Sequence, residues 1–505
     1  MDAILNQVHN PPERASDCIG LTKSAIIFLL LSGIYFFARS PGLDDYDSVQ
    51  FAMGVRSFDL WQHQPHAPGY PLYIWLGQLG AKLFHASPDV SLHFFSALGG
   101  ALFVAMWFLI ARLQFDERFA WWLASCLAIT AIVWLTATKV WTDPLATGLL
   151  SAEILAALCS VSQGGPGALL AAGLFGAAAT GTRPQLILVC LVVLITGLRQ
   201  RRVPANLSIL AIGTLLGGCL LWLLPLSYSQ WRLRPEVPLW LVYPKLLYGQ
   251  WIWRLNQPNA YIGASDWSPL YFATRLGSHL GGWFGVGLGL LSSPIVFAIG
   301  SLVLGAGLIL YLFRPGEPSD RQFWRFHWPW ATVHVLTIFA FLPASQRYYL
   351  IIYPLLLVII LRGYLRLRQP LHLFGWAVPL FLLLVLIPAA LTNHTQTAPR
   401  IKLSRYLAGL YPPGDRSKIV LLFVHARRHA EWYAPGFVTL KQVPPAAELP
   451  EILNHAHAVY TDDDKLALPS GWKRVELTSY PPSPVVYWQN YTLRLYRIER
   501  EIGGP

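Results

Sequence analysis

Between Pro41 and Ala52 the chain reads PGLDDYDSVQFA, placing three carboxylates, Asp44, Asp45 and Asp47, within four positions. Crowded carboxylates disfavour simultaneous ionisation, which lifts at least one toward the range of a general base. The competing readings are a divalent-metal site and a capped, solvated turn. Phe51 follows Asp47 at i+4, so a helix can begin at Asp47 with Asp44 and Asp45 as turn and N-cap residues. Shortly after comes HQPHAPGYPLY, which sets His63, His66 and Tyr70 in a loop stiffened by prolines. Imidazoles there can donate hydrogen bonds to an anionic head group.

Three later stretches carry matching chemistry. KVWTDPLATG holds Lys139 and Asp143. Asp143-Pro144 fits an N-cap followed by Pro at the first helical position, and the same aspartate fits a second active-site carboxylate. Arg183 stands in GTRPQ, and Arg347 with Tyr348 in ASQRYYL. Arginine at the end of an apolar segment either snorkels to the head groups or grips a phosphate bidentately.

The elements that must position these residues are dictated by composition. The chain has 505 residues, 54% hydrophobic and only 13% charged, with 21 Trp, and a mean hydropathy of +0.44. Repeated apolar stretches near the spanning length of about 20 residues indicate a polytopic membrane protein. The net charge of +12 then has a topological use in basic loops, and no basic run with interleaved aromatics suggests a nucleic-acid partner. The five cysteines include no C-x-x-C pair, which argues against a disulfide framework or zinc site. Ser24 to Phe37 is followed by Arg39 and Pro41 rather than a small-x-small cleavage site, so the first segment reads as a retained anchor.

Candidate spans are Ile19–Ala38, Val90–Ala111, Phe119–Thr136, Leu145–Val161, Ala168–Thr182, Leu186–Leu198, Leu207–Ser227, Leu291–Phe313, Trp328–Leu342, Leu350–Leu361 and Leu371–Leu391, about 11 helices in all. With the N-terminus in the cytoplasm, the inner loops collect Arg112 and Arg118, then Arg199, Arg201 and Arg202, then Arg314, Arg321 and Arg325, then Arg362, Arg366 and Arg368. The acidic cluster, Asp143 and Asp266 fall outside, a consistent positive-inside pattern. Residues 1–391 thus form the membrane domain, with outer loops at 39–89 and 228–282, the second rich in Trp, Tyr and Pro. Such aromatic stretches tend to lie in the interface plane.

From residue 392 to 505 charges rise and long apolar runs stop. KIVLLFVH, AVYTDDD, WKRVEL and PVVYWQNYTLRLYRI read as strands of a small outward-facing α/β domain. Its densest polar cluster, His425, Arg427, Arg428 and His429, reads as solvated surface.

Asp-x-x-x-Phe-Ala after the first span, the His-x-Pro-x-x-Pro loop, Thr-Asp-Pro at the fourth span and Arg-Tyr-Tyr before a late span together resemble the GT-C membrane glycosyltransferases. The resemblance is to the protein O-mannosyltransferases and the aminoarabinose transferases of lipid A, over roughly Ser24 to Leu361. The resemblance implies an inverting enzyme of the cytoplasmic membrane that moves a sugar from a polyprenyl phosphate to an acceptor hydroxyl on a lipid, protein or polysaccharide at the outer face, with no cofactor. Asp47 is similar to the catalytic aspartate of the family's Asp-Glu motif. Ser48 stands where the Glu would be, which points to Asp44 or Asp45 as the second carboxylate. His66-Ala67-Pro68 takes the place of a Lys-Pro-Pro or His-Pro-Pro motif near the lipid phosphate, and Asp143 looks like the second acidic position. In this reading Arg347, Arg183 and His66, with Lys139 in a lesser part, hold the phosphate.

A divalent metal beside Asp44, Asp45 and His63 is the alternative for the acids. A transporter or flippase of a lipid-linked saccharide is the alternative for the whole chain. Transporters tend to carry ionisable groups at mid-membrane and inverted repeats. Here the segments show no repeat, and Glu153 and Lys82 are the charges away from span ends.

Overall fold

A computed structural model describes residues 14–501 apart from 164–165, 202–203, 257–293, 314–315, 342–345, 369, 441–443, 446, 484 and 487–490. Arg202, Asp266, Arg314 and residues 257–282 of the predicted second outer loop therefore lie outside the described residues.

The chain opens with α1 (Arg14–Phe37), α2 (Tyr46–Arg56), α3 (Pro71–Leu83), α4 (Pro88–Gln114), α5 (Glu117–Ala128), α6 (Ala131–Ala137), α7 (Asp143–Gln163), α8 (Pro166–Thr182), α9 (Ile187–Arg201) and α10 (Ala205–Leu233). It continues through α11 (Leu239–Asn256), α12 (Pro294–Phe313), α13 (Pro318–Phe341), α14 (Tyr353–Leu365) and α15 (Ala377–Thr395). Each of the predicted spans has a helical counterpart. Among the described residues, six helical segments are singly long and apolar enough to cross a membrane, or up to eight if two bent pairs count as one span each: α5 with α6, bent by 62°, and α12 with α13, bent by 109°. The difference from the expected 11 is one of counting: the predicted spans Leu291–Phe313 and Trp328–Leu342 fall on the single bent pair α12–α13, and two further helices are short. The apolar helices α8 and α14 hold 17 and 13 residues, below the length that crosses the hydrocarbon core unaided. The chain is a multi-pass membrane protein.

Close helix contact brings the two acidic regions together. A Cβ on Gly99 of α4 would fall 2.6 Å from the carbonyl carbon of Pro144, and one on Gly148 of α7 would fall 2.6 Å from the Gly99 carbonyl oxygen. Small residues let helix backbones approach in a membrane. Here they seat the start of α7, and so Asp143, against α4. On the other flank of α4, the Ser40 Oγ lies 3.2 Å from the His93 imidazole, tying the acidic loop to the same helix.

The remaining chain, α16 (Pro399–Leu410), α17 (Arg427–Tyr433), α18 (Leu449–His455) and strands β1 (Ile419–Leu422), β2 (Val438–Thr439), β3 (Ala458–Thr461), β4 (Trp472–Tyr480) and β5 (Leu493–Arg500), forms one five-stranded sheet in the order β2-β1-β3-β5-β4. β1 is parallel to β2 and β3; β5 runs antiparallel to β3 and β4. Buried Leu403 and Leu407 of α16 and Ala430 of α17 share a core with Ile419, Leu421 and Tyr460 of the sheet.

Candidate active site

The Asp44–Asp47 cluster begins as local capping chemistry. Asp45 is the N-cap of α2 and accepts from the Ser48 N–H at 2.8 Å and the Ser48 hydroxyl at 3.0 Å. Asp47 falls in the first turn, where the N-terminal end of the helix dipole favours an anion. The helix starts one residue earlier than the spacing to Phe51 suggests.

Each of the other acids is sealed by a partner. Asp44 pairs with Lys139, and both side chains are buried. Asp45 also accepts from the Trp141 indole N–H. Asp143 pairs with Arg183, both buried. Asp143 is itself the first residue of α7, so the N-cap reading gives way to an ion pair. Only Asp47 stays open: 25% of its side chain is exposed, against 6% for Asp44 and 4% for Asp143.

Asp47 is held from two sides. Its Oδ2 accepts from Arg347 Nη2 at 2.6 Å, and its Oδ1 lies 3.7 Å from His66 Nδ1. His66 Nδ1 also lies 2.7 Å from Gln50 Oε1, and its Nε2 lies 2.8 Å from the Tyr70 hydroxyl. Because Gln50 offers an acceptor there, Nδ1 carries the proton and Nε2 accepts from Tyr70. Burial pushes the Tyr70 hydroxyl far above its ordinary range, so it remains a proton donor. The Tyr348 ring faces both cations, 4.8 Å from the Arg183 guanidinium and 5.6 Å from that of Arg347, which also stands 5.3 Å from the Trp141 ring. One contiguous cluster therefore runs from Asp47 through Arg347, Tyr348 and Arg183 to Asp143.

The loop that carries His66 is shaped by Asp59, which accepts from the Trp61 and Gln62 N–H groups at 2.9 and 3.2 Å, and by left-handed backbone at His63 and Tyr70. Buried Gln230 of α10 fixes it further, donating to the Phe58 carbonyl at 3.0 Å and accepting from the Leu60 N–H at 2.8 Å. His63 itself is exposed on the turn. Among the described residues, no three His, Cys, Asp or Glu side chains group as metal ligands.

Two expectations change. Lys139, read as a lesser phosphate contact, instead neutralises Asp44 in the interior. The cluster read as solvated surface is an interface: His429 and Arg428 are buried, the former giving its Nε2 to the Leu43 carbonyl at 3.0 Å and the latter donating to the Gln62 carbonyl at 2.6 Å. Arg427 donates to the Tyr46 hydroxyl at 3.1 Å. Gln50, Trp141, Gln230 and Tyr433 were not singled out in the sequence. Gln50 alone had a readable signal, three residues after Asp47 on the same helix face.

Asp45 supplies a pH test. Burial pushes its carboxyl above the ordinary 3.8; the Asp47 charge adds to the push, while Arg347, the Ser48 N–H and Trp141 oppose it. A carboxyl raised on folding lends stability that is complete below 3.8 and is lost as pH rises through the folded value. Asparagine at the same N-cap keeps an acceptor for Ser48 and does not titrate. Asp45→Asn is expected to gain stability relative to the native chain as pH rises above about 4, whatever the constant offset between them. Thermal unfolding in detergent across pH checks this, and parallel curves for the two proteins would contradict it.

A family model described as dolichyl-phosphate-mannose-protein mannosyltransferase matches residues 64–228. That third of the chain includes His66, Tyr70, Lys139, Asp143 and Arg183, and leaves out the Asp44–Asp47 cluster and Arg347. Among solved structures, the chain is similar to ArnT from Cupriavidus metallidurans bound to undecaprenyl phosphate, at 13% identity and a TM-score of 0.53 over 98% of this chain and 100% of that one. It is also similar to the Archaeoglobus fulgidus oligosaccharyltransferase tethered with an acceptor peptide, at 12% identity and a TM-score of 0.51 over 87% of this chain and 69% of that one. No curated protein sequence matches it. The fold is that of the GT-C membrane glycosyltransferases, with a small α/β domain after the helices.

Proposed function

We propose that the chain is an inverting glycosyltransferase that takes a sugar from a polyprenyl-phosphate donor and places it on an acceptor hydroxyl at the outer face of the cytoplasmic membrane. The observation that carries this reading is the single open carboxylate, Asp47, held against Arg347 and His66 while the neighbouring acids are sealed. Asp47 takes the proton from the acceptor hydroxyl. The acceptor oxygen bonds to the anomeric carbon as the bond from that carbon to the phosphate oxygen breaks, and the electron pair leaves with the polyprenyl phosphate. A single displacement inverts the centre. The guanidinium of Arg347 is a planar fork that can hold a carboxylate on one edge and a phosphate on another. As negative charge grows on the leaving phosphate, Arg347 meets it, while Gln50 and Tyr70 hold the His66 ring beside Asp47. Arg183, Tyr348 and Asp143 keep Arg347 in place. A polyprenyl phosphate bound to the ArnT of similar fold supports a lipid-linked donor, and the acceptor peptide tethered to the oligosaccharyltransferase supports an acceptor entering the same kind of site.

The distribution of charge supports the outer-face reading. The cluster lies at one end of the bundle, where α7 begins and α8 ends. At the other end, where α4, α9 and α14 finish and α13 begins, stand Arg112, Arg199, Arg201, Arg321, Arg325 and Arg362. The positive-inside rule supports a cytoplasmic basic end, and with it an outer-face site.

Purified protein in lipid vesicles, given a panel of radiolabelled polyprenyl-phosphate sugars and acceptor extracts, tests the reading. The expected result is release of free polyprenyl phosphate with label moved to an acceptor. Movement of the intact donor between leaflets without cleavage would support a flippase and overturn the proposal.

A further inference from the structure

We infer that the α/β domain holds the catalytic loop in register, and that His429 is a positioning residue acting through the backbone of Leu43. This rests on the transferase reading above and gives its outer domain a task.

The grip is concentrated on one buried residue next to the acids. Both polar groups of the Leu43 peptide are taken by α17: its N–H donates to the Tyr433 hydroxyl at 2.8 Å, and its carbonyl accepts from His429 Nε2 at 3.0 Å. Leu43 immediately precedes Asp44 and lies four residues before Asp47. Around this pair the docking is tight. A Cβ at Gly42 would come within 2.8 Å of the Ile401 side chain and of the Tyr433 hydroxyl. The Leu43 side chain packs with Val49 and Phe51 of α2, and Trp432 and Tyr433 close over that cluster. The Arg56 guanidinium stacks 3.7 Å from the Trp432 ring. The loop is thus fixed at Leu43, at Tyr46 through Arg427, and at Gln62 through Arg428. These contacts bracket Asp47.

His429 is suited to a constant grip. Burial, with Arg400 nearby, pushes its imidazolium down to about 3, so the ring stays neutral at working pH with its proton on Nε2, facing the carbonyl. A misplacement of about 1 Å at a reacting group can cost roughly 100-fold in rate. Loss of this bond is therefore read in turnover rather than in donor affinity.

The experiment compares His429→Ala with His429→Gln, whose side-chain N–H reaches about as far as Nε2, in purified full-length protein. Expected for His429→Ala is a fall in kcat on the order of 100-fold with donor KM little changed, together with faster amide hydrogen exchange across residues 40–47; His429→Gln restores both. Tyr433→Phe, which keeps the ring and removes the acceptor for the Leu43 N–H, is expected to speed exchange over the same residues and serves if His429→Ala does not fold. Native exchange and native kcat in His429→Ala, or a glutamine variant no better than alanine, would overturn the proposal. Faster exchange in His429→Ala in a protein whose native form transfers no sugar would reject the transferase reading and leave the grip standing.

Discussion

Asp47→Asn is expected to lower sugar transfer by roughly 10²–10⁴-fold, the range typical for removing one placed general base. Asparagine is nearly isosteric, and its side-chain oxygen can still accept from Arg347, whose Nη2 lies 2.6 Å from the carboxylate in the native protein. It also stays in the first turn of α2, where a polar side chain is well tolerated. The fold and the donor KM are therefore expected to remain close to native, and the loss to fall on kcat. Matching substitutions separate this from a general effect of charge removal. Asp44 and Asp143 are sealed against Lys139 and Arg183, so they have no open path to an acceptor hydroxyl. Initial rates of polyprenyl phosphate release by the purified variant decide the matter. A rate within a few-fold of native would remove Asp47 from the mechanism.

Removing one member of the Asp143–Arg183 pair is expected to destabilise the fold by about 3–5 kcal/mol, because the survivor is left as an uncompensated buried charge. Both side chains are buried, at 4% and 6% exposure. The pair also stands behind the Tyr348 ring, which faces Arg347 in turn. Asp143→Leu and Arg183→Met should each lower the thermal midpoint in detergent sharply. The double variant should recover much of the loss, since apolar side chains of similar volume often replace a buried ion pair at little cost. A double variant as unstable as the sum of the singles would show that the pair is not coupled. Transfer is expected to stay impaired even in the recovered double variant, because Tyr348, which also faces Arg347, loses its contact with the Arg183 guanidinium.

Much of this arrangement could be read from local spacing. The N-cap at Asp45, the apolar spans, the strands in KIVLLFVH and AVYTDDD and the proline-stiffened loop all arise from neighbours in sequence. The pairing of the acids could not. Asp47 meets Arg347 across 300 positions, Asp44 meets Lys139 across 95, and Asp143 meets Arg183 across 40. Spacing shows that a charge sits at a span end, but only packing decides whether it faces lipid, water or an opposite charge. Lys139 shows the difference: beside Asp143 in sequence, it is turned to Asp44 instead. The RRH run of α17 misled for the same reason. In an isolated domain three basic residues are surface; here they are the face that meets the acidic loop.

The measurement that tests the central claim most directly is photo-crosslinking with a polyprenyl phosphate that carries a photoreactive group beside its phosphate, followed by peptide mapping. Label on peptides spanning Asp44–Phe51, His66–Tyr70 and Arg347–Ile351, displaced by unmodified polyprenyl phosphate, is the predicted result. Label confined to the opposite, arginine-rich end of the bundle, with none on those three stretches, would contradict it.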